Sequence, residues 1–203
     1  MKKCIAAVVA FVLMISLGAC NSDGHDVYKE IYKRYNSMET FEAVAEVTVT
    51  NERTENVYLV RQLFDAPDKF LLEVKEPVNI AGSGYVCKNG EITIKSGFGH
   101  DEEVTGWSGL THGVLFVNDF FEEYFKSEET AVHVSKKTGD TLTVLECYLS
   151  GKNDKKFMER LWIDNKTFLP VKMETYDINK NVVVKVEFKE FIRDCQIDES
   201  EFE

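Results

Sequence analysis

The stretch that decides the fold spans residues 157–191 and reads FMERLWIDNKTFLPVKMETYDINKNVVVKVEFKEF. From Val182 to Phe188 every second residue is apolar, which is the pattern of a strand with one buried and one solvent-exposed face. Turn-forming residues at 165–166 and 179–181 separate this strand from two preceding ones. Because Pro170 has no backbone N–H, the middle strand is expected to begin there or to lie at a sheet edge. The stretch therefore predicts a meander of three antiparallel strands.

The same alternation recurs upstream of this meander. It predicts strands at 41–50, 57–64, 69–75, 84–88, 91–95, 130–136 and 141–149. Asn89-Gly90 between two of them is the strongest short hairpin signal that a sequence offers. The total reaches about ten strands, so the chain is expected to be mainly β, of the α+β kind.

Helical spacing of apolar residues predicts two helices, at 26–38 and 116–125. The tyrosine-rich first helix either presents a docking surface or packs across the sheet, and packing is favoured. The second helix is rich in phenylalanine and follows a glycine-rich stretch, 96–114. It is either a mobile lid over the sheet or a core helix preceded by a flexible loop.

The pattern Leu-Trp-Ile-Asp-x-x-Thr-x-Leu-Pro-Val-Lys-Met-Glu over residues 161–174 resembles the C-terminal half of LolA-like lipoprotein carrier proteins. The Pro-Asp-Lys-Phe corner at 67–70 and the closing Ile197-Asp198 with Phe202 extend the likeness. The resemblance implies an incomplete antiparallel β-barrel with an N-terminal helix and a helical lid. It implies little about activity, because one fold hosts many functions.

Residues 1–19 read as a bacterial lipoprotein signal peptide. Lys2 and Lys3 precede an apolar run that is short for a membrane span, and small residues precede Cys20. The arrangement resembles a lipobox, in which a diacylglyceryl group and an acyl group modify Cys20, and two or more chains anchor a protein firmly. An ordinary secretory signal with a chance cysteine is the alternative. We therefore expect a lipidated tether at 20–25, a single domain at 26–203, and a location on the outer face of the cell membrane.

Composition restricts the partners. The chain has 24 basic and 35 acidic residues, and loss of Lys2 and Lys3 leaves 22 basic residues, a balance of −13. This argues against binding nucleic acid or an anionic membrane surface. Three cysteines, Cys87, Cys147 and Cys195, remain beyond Cys20. They form either one disulfide with a free thiol or, as we favour, three reduced thiols.

No catalytic motif stands out. The segment 100–103, His-Asp-Glu-Glu, is the densest group of metal-ligand types, but adjacent residues on a loop do not converge easily on one ion. His112 and His133 have no partner at ligand spacing, and Cys147 alternates with leucines, which predicts a buried and inert thiol. We therefore expect no metal, no cofactor apart from the lipid on Cys20, no catalytic residues and no enzyme activity.

The lipobox, short tether, tyrosine-rich helix, Trp-Ile-Asp hairpin and acidic tail at 198–203 together resemble the GerS family of germination lipoproteins of clostridial spore formers. That resemblance implies a membrane-anchored protein that binds and activates a zinc-dependent N-acetylmuramoyl-L-alanine amidase of the spore cortex. It implies a place on spore membranes facing the cortex. Aromatic enrichment at binding hot spots suggests Tyr28, Tyr32 and Trp107 as partner contacts.

Two further possibilities stay open. The half-barrel could hold an acyl chain or a lipoprotein, as carriers do, which would require an apolar cavity with room for a ligand. The exposed edges of an incomplete barrel could also accept a strand from another chain, including one exchanged in a homodimer.

Overall fold

The computed structural model describes residues 22–51, 53–97, 99, 102–104, 115–137 and 140–203. This part of the chain forms two α-helices, eleven strands and two short 3-10 helices. The helices are α1 (Ser22–Asn36) and α2 (Val117–Lys126), and the 3-10 helices span Val78–Ile80 and Glu199–Phe202. The strands are β1 (Thr40–Thr50), β2 (Glu55–Asp65), β3 (Lys69–Glu76), β4 (Gly84–Lys88), β5 (Glu91–Lys95), β6 (Glu102–Val104), β7 (Thr130–Lys137), β8 (Asp140–Asn153), β9 (Lys156–Asp164), β10 (Pro170–Tyr176) and β11 (Val182–Arg193).

All strands join one antiparallel sheet in the order β6-β5-β4-β3-β2-β1-β11-β10-β9-β8-β7. Consecutive strands are neighbours on each side, and the two sides meet where β1 pairs with β11. The edge strands β6 and β7 lie at opposite ends of this order and do not pair among the described residues, so the sheet is not closed. The predicted incomplete antiparallel sheet with two helices is confirmed.

Two predicted boundaries were wrong. Glu102–Val104, expected to belong to a solvated acidic loop, pairs with β5 as the short edge strand β6. Three residues are too few to show an alternation, so the sequence did not reveal this strand. Helix α1 begins at Ser22 instead of residue 26, so the segment expected to be a tether is helical over much of its length.

One face of the sheet, called the inner face, packs against both helices. From α1, Ile31 and Tyr35 are buried, and from α2 and its N-cap the aromatic residues Phe116, Phe120 and Phe121 are buried. Tyr35 stacks on Phe121 with ring centroids 4.2 Å apart. Of the two predicted roles of α2, mobile lid or core helix, the structure supports the core helix.

The outer face of β2–β4 is covered by the C-terminal residues. Phe202 is only 3% exposed and packs against Leu63, Leu71 and Val86. Arg61 holds the same segment, because its guanidinium donates to both carboxylate oxygens of Glu201 at 2.8 and 3.0 Å. The last residues of the chain thus seal a second, smaller core on the side of the sheet opposite the helices.

Two local predictions are confirmed. Asn89 and Gly90 both have positive φ, 55° and 77°, as a tight turn between β4 and β5 requires. β10 begins at Pro170, where a missing N–H breaks no ladder within the strand.

Candidate functional site

The inner face carries a buried carboxylic acid. Glu159 on β9 shares strand parity with Leu161 and Ile163, so the alternation that buries those residues also turns Glu159 inward. Its side chain accepts a hydrogen bond of 3.0 Å from the Thr175 hydroxyl on β10. Burial raises the pKa of Glu159 to about 7, although the bond from Thr175 lowers it, and the negative charge of Asp119 raises it further. The site is a protonatable group inside the core.

The surroundings of Glu159 do not form a nucleophile and base pair. Cys147 lies opposite Glu159 on the neighbouring strand β8 and is 0% exposed. Burial raises the pKa of the Cys147 thiol far above its ordinary range, and the charge of Glu159 adds to the effect. The thiol is therefore protonated and a poor nucleophile, as the sequence predicted. Cys87 and Cys195 are also free thiols in the structure.

Histidine and acidic residues do not assemble a metal centre in the described part of the chain. There, no group of three or more His, Cys, Asp or Glu side chains is placed to hold an ion. His133 lies exposed on the edge strand β7. His100, Asp101 and His112 lie outside the described residues.

Of the predicted partner contacts, the structure describes the two tyrosines of α1. Tyr28 is partly buried against the core. Tyr32 is 44% exposed and meets Phe125 edge-to-face, with ring centroids 4.8 Å apart. Lys29 and Lys33 lie on the same exposed side of the helix as Tyr32. We call Lys29, Tyr32 and Lys33 the α1 surface.

Cys20 and Trp107 lie outside the described residues, and their predicted roles stay predictions. Within the residues that are described, no helix is long and apolar enough to span a membrane.

A cluster on the outer face of the sheet was not found from the sequence. Lys172 lies with its Nζ 3.9 Å from the centre of the Trp162 ring and 2.7 Å from Glu174. Beside it, the Arg160 guanidinium lies 5.0 Å from the centre of the Tyr176 ring. Alternation in β9 could have revealed this cluster, because Arg160 and Trp162 share the face opposite Leu161.

Edge strand β7 presents the other surface that the sequence predicted. It pairs only with β8 in the described sheet and exposes Val132 by 43%. Homodimer formation by strand exchange stays a prediction.

Comparison with known proteins gives the family. The sequence pattern of YdcC-like sporulation proteins matches residues 1–202, almost the full chain. The chain belongs to the YdcC-like family of sporulation proteins. No curated protein matches the chain by sequence. A role in sporulation is therefore supported for this YdcC-like protein at the level of the family.

Solved structures agree with the fold. The chain is 26% identical to the GerS lipoprotein in its complex with the CwlD amidase from Clostridioides difficile, covering 88% of this chain and 98% of that one, with a TM-score of 0.51. It is 12% identical to an uncharacterised conserved protein from Thermus thermophilus, covering 88% and 91%, with a TM-score of 0.54. A LolA superfamily protein from Nitrosomonas europaea also matches, at 12% identity, 89% and 97% coverage and a TM-score of 0.46. The resemblance to GerS drawn from the sequence is confirmed.

Proposed function

We propose that this YdcC-like protein is a non-catalytic lipoprotein, anchored through Cys20, that binds and activates an N-acetylmuramoyl-L-alanine amidase of the spore cortex. Cortex modification and spore germination would depend on that activation. The proposal places the protein on the outer face of a membrane that faces the cortex, and any zinc belongs to the amidase.

The observation that carries the proposal is the 26% identity over 88% of the chain to a lipoprotein whose structure was solved together with an amidase. The membership in a sporulation family supports the same biological setting. Among the described residues, the buried Glu159 faces a protonated thiol and a threonine hydroxyl. A surface that binds a partner agrees best with these features.

The α1 surface is the partner contact that we propose. Tyr32 projects a rigid aromatic ring, and tyrosine is enriched at binding hot spots. Lys29 and Lys33 flank it, and neither is joined to a described carboxylate by an ion pair. The helix that bears them is fixed by its buried side, where Ile31 is 0% exposed, so the surface is preorganised. Tyr28, partly buried against the core on the same helix, and Trp107 are further proposed contacts.

The alternative function, transport of an acyl chain, agrees less well with the structure. Such a ligand would lie against the inner face, as the carrier resemblance implies. In the described residues that face is covered by α1 and by the buried rings of Phe116, Phe120 and Phe121. A bound acyl chain would have to displace these side chains.

The test is activation of a purified spore-cortex amidase by the purified protein. Wild-type protein should raise the rate of muramoyl-alanine cleavage, and Tyr32→Ala should weaken activation by raising the concentration needed for half-maximal effect. Truncating an aromatic hot-spot side chain typically costs about 2 kcal/mol or more of binding energy, which is roughly thirtyfold in affinity.

The matched control is Ile192→Ala, because Ile192 is 52% exposed on the outer face of the sheet and lies away from α1. It should activate like the wild type. Absence of any activation by the wild type, with acyl ligand found in the purified protein by mass spectrometry, would favour the carrier function instead.

A further inference from the structure

The direction of α1 determines where the N-terminus lies. Near the end of the helix, the Tyr35 hydroxyl donates to the carbonyl of Phe168, in the turn between β9 and β10. Nearer its start, Tyr32 meets Phe125 at the end of α2, five residues before β7 begins at Thr130. The start of α1 therefore lies away from the β9–β10 turn, toward the end of the sheet where β7 begins.

The register across the sheet identifies the end that α1 starts from. Thr130 pairs with Cys147, and the row continues through Glu159 and Thr175 to Val184. Beyond this row lie the β1–β2, β8–β9 and β10–β11 turns, which we call the tether end. Because the helix begins at Ser22, the described chain starts at the tether end, two residues after Cys20 in the sequence.

Basic residues that form no ion pair in the described part of the chain gather at this end. Arg53 lies in the β1–β2 turn, Lys155 and Lys156 in and next to the β8–β9 turn, and Lys180 in the β10–β11 turn. All four are exposed, and within the described residues no ion pair joins their side chains to a carboxylate. Cations elsewhere on the sheet are largely paired: Arg61, Lys69, Lys75, Lys88, Arg160, Lys172, Lys185, Lys189 and Arg193 each form an ion pair.

Carboxylates at the tether end offset part of these charges. Asp177 accepts hydrogen bonds from the backbone and side chain of Asn181, at 2.7 and 2.9 Å, and these neutral donors leave its negative charge in place. Glu55 and Asp154 are exposed nearby. The four cations minus these three carboxylates leave a described charge of +1, so in a chain with a net charge of −11 this end is positive relative to the rest of the surface.

Apolar surface accompanies the positive charge. A depression of about 880 Å³ lies between the three turns. Its lining includes the apolar Val49 and valines 182–184, the cations Arg53, Lys155 and Lys156, and the carboxylates Asp154 and Asp177. At the same end Ile178 is 49% exposed and Val57 is 50% exposed. Exposed aliphatic side chains beside lysines and arginines are typical of surfaces that rest on lipid headgroups.

We infer that the tether end is a membrane-contact surface for anionic phospholipids. Arg53, Lys155, Lys156 and Lys180 meet the phosphate groups, and Ile178 enters the interface. This inference rests on the lipid anchor of the proposed function, which brings this end to the bilayer. It reverses, for one end only, the expectation from net charge that the protein avoids anionic membranes. The opposite end and the α1 surface stay accessible to a partner.

The experiment uses lipidated protein on vesicles of phosphatidylglycerol and brominated phosphatidylcholine. Ile178→Trp places a fluorophore at the tether end, and Val171→Trp is the matched control, since Val171 is 40% exposed near the opposite end of the sheet. Fluorescence is taken as the difference from protein without the added tryptophan. The bromines should quench Ile178→Trp several-fold more than Val171→Trp.

Charge reversal provides the second control. Lys155→Glu with Lys156→Glu should abolish the quenching of Ile178→Trp, whereas Lys29→Glu with Lys33→Glu on α1 should leave it intact. Equal quenching of both tryptophans, or equal quenching on vesicles without phosphatidylglycerol, would overturn the inference.

Vesicle flotation and amidase activation separate the two proposals. Protein that floats without selective quenching contradicts only the membrane-contact surface. Protein that does not float contradicts both this surface and the anchor at Cys20. Activation of the amidase in the absence of vesicles reports on the proposed function alone.

Discussion

Replacing Glu159 by Gln should stabilise the protein at alkaline pH and have little effect at acidic pH. The pKa of Glu159 is raised from an ordinary 4.5 to about 7 in the folded state by burial. A carboxyl whose folded pKa is raised is protonated more readily in the folded than in the unfolded chain. Its contribution is therefore most favourable below pH 4.5 and becomes steadily less favourable up to pH 7, above which the loss is complete.

The expected size follows from the shift. At about 1.4 kcal/mol per pKa unit, the raised pKa of Glu159 costs about 3 kcal/mol of folding free energy at pH 8, where the folded protein carries it ionised. At pH 5, where Glu159 is mostly protonated in the folded protein, the cost is less than about 1 kcal/mol. Glutamine keeps an oxygen that accepts the hydrogen bond from Thr175 and carries no charge. Glu159→Gln should therefore gain roughly 2 kcal/mol over the wild type between pH 5 and pH 8.

Urea unfolding followed by circular dichroism at both pH values measures this difference. Glu187→Gln is the control, because Glu187 lies on the outer face beside Lys185 and undergoes the same chemical change without burial. A stability difference between Glu159→Gln and wild type that is the same at pH 5 and pH 8 would refute the reasoning.

Three further substitutions or probes follow from the packing. Gly84→Ala should destabilise the protein by about 1–3 kcal/mol in urea unfolding, because a Cβ there would lie 1.8 Å from the Leu72 carbonyl oxygen. A variant as stable as wild type would contradict this close approach. Phe202→Ala should cost about 3–5 kcal/mol, since the ring is 3% exposed, and a loss under about 1 kcal/mol would mean that the tail is not part of the core. A thiol reagent should label Cys195 in the folded protein and Cys147 only after unfolding, as read by mass spectrometry; early labelling at Cys147 would show that β8 opens.

Most of the fold could be predicted from short local patterns in the sequence. Asn89-Gly90 placed one turn, Pro170 placed a strand start, and alternation located ten of the eleven strands in the described chain. These features depend on backbone preferences of a few adjacent residues. The short strand β6 depends instead on pairing with β5, and a three-residue segment has no periodicity of its own.

The candidate sites were harder to predict, for two different physical reasons. The burial of Glu159 could have been predicted, because Glu159 lies on the same side of its strand as Leu161. A charged residue is normally assigned to the solvent face, which hides this signal. The sequence did not reveal the tether end, because Arg53, Lys155 and Lys180 come to the same end of the sheet only after three distant hairpins are aligned in register. The negative net charge of the chain argued against contact with an anionic membrane. A net charge is a sum over all residues and does not show where the positive ones lie.

The pairing of β1 with β11 has a consequence for how the protein reaches its folded state. Strands β2–β6 and β7–β10 each follow their neighbours along the chain, so each side can form from short-range contacts. The joint between them brings Phe41 against Arg193, residues from nearly opposite ends of the sequence. Pairing segments so far apart in sequence is slow, because the entropic cost of closing a long loop comes before any stabilising contact forms. Completion of the sheet at β1 and β11 therefore depends on the last of its strands along the chain.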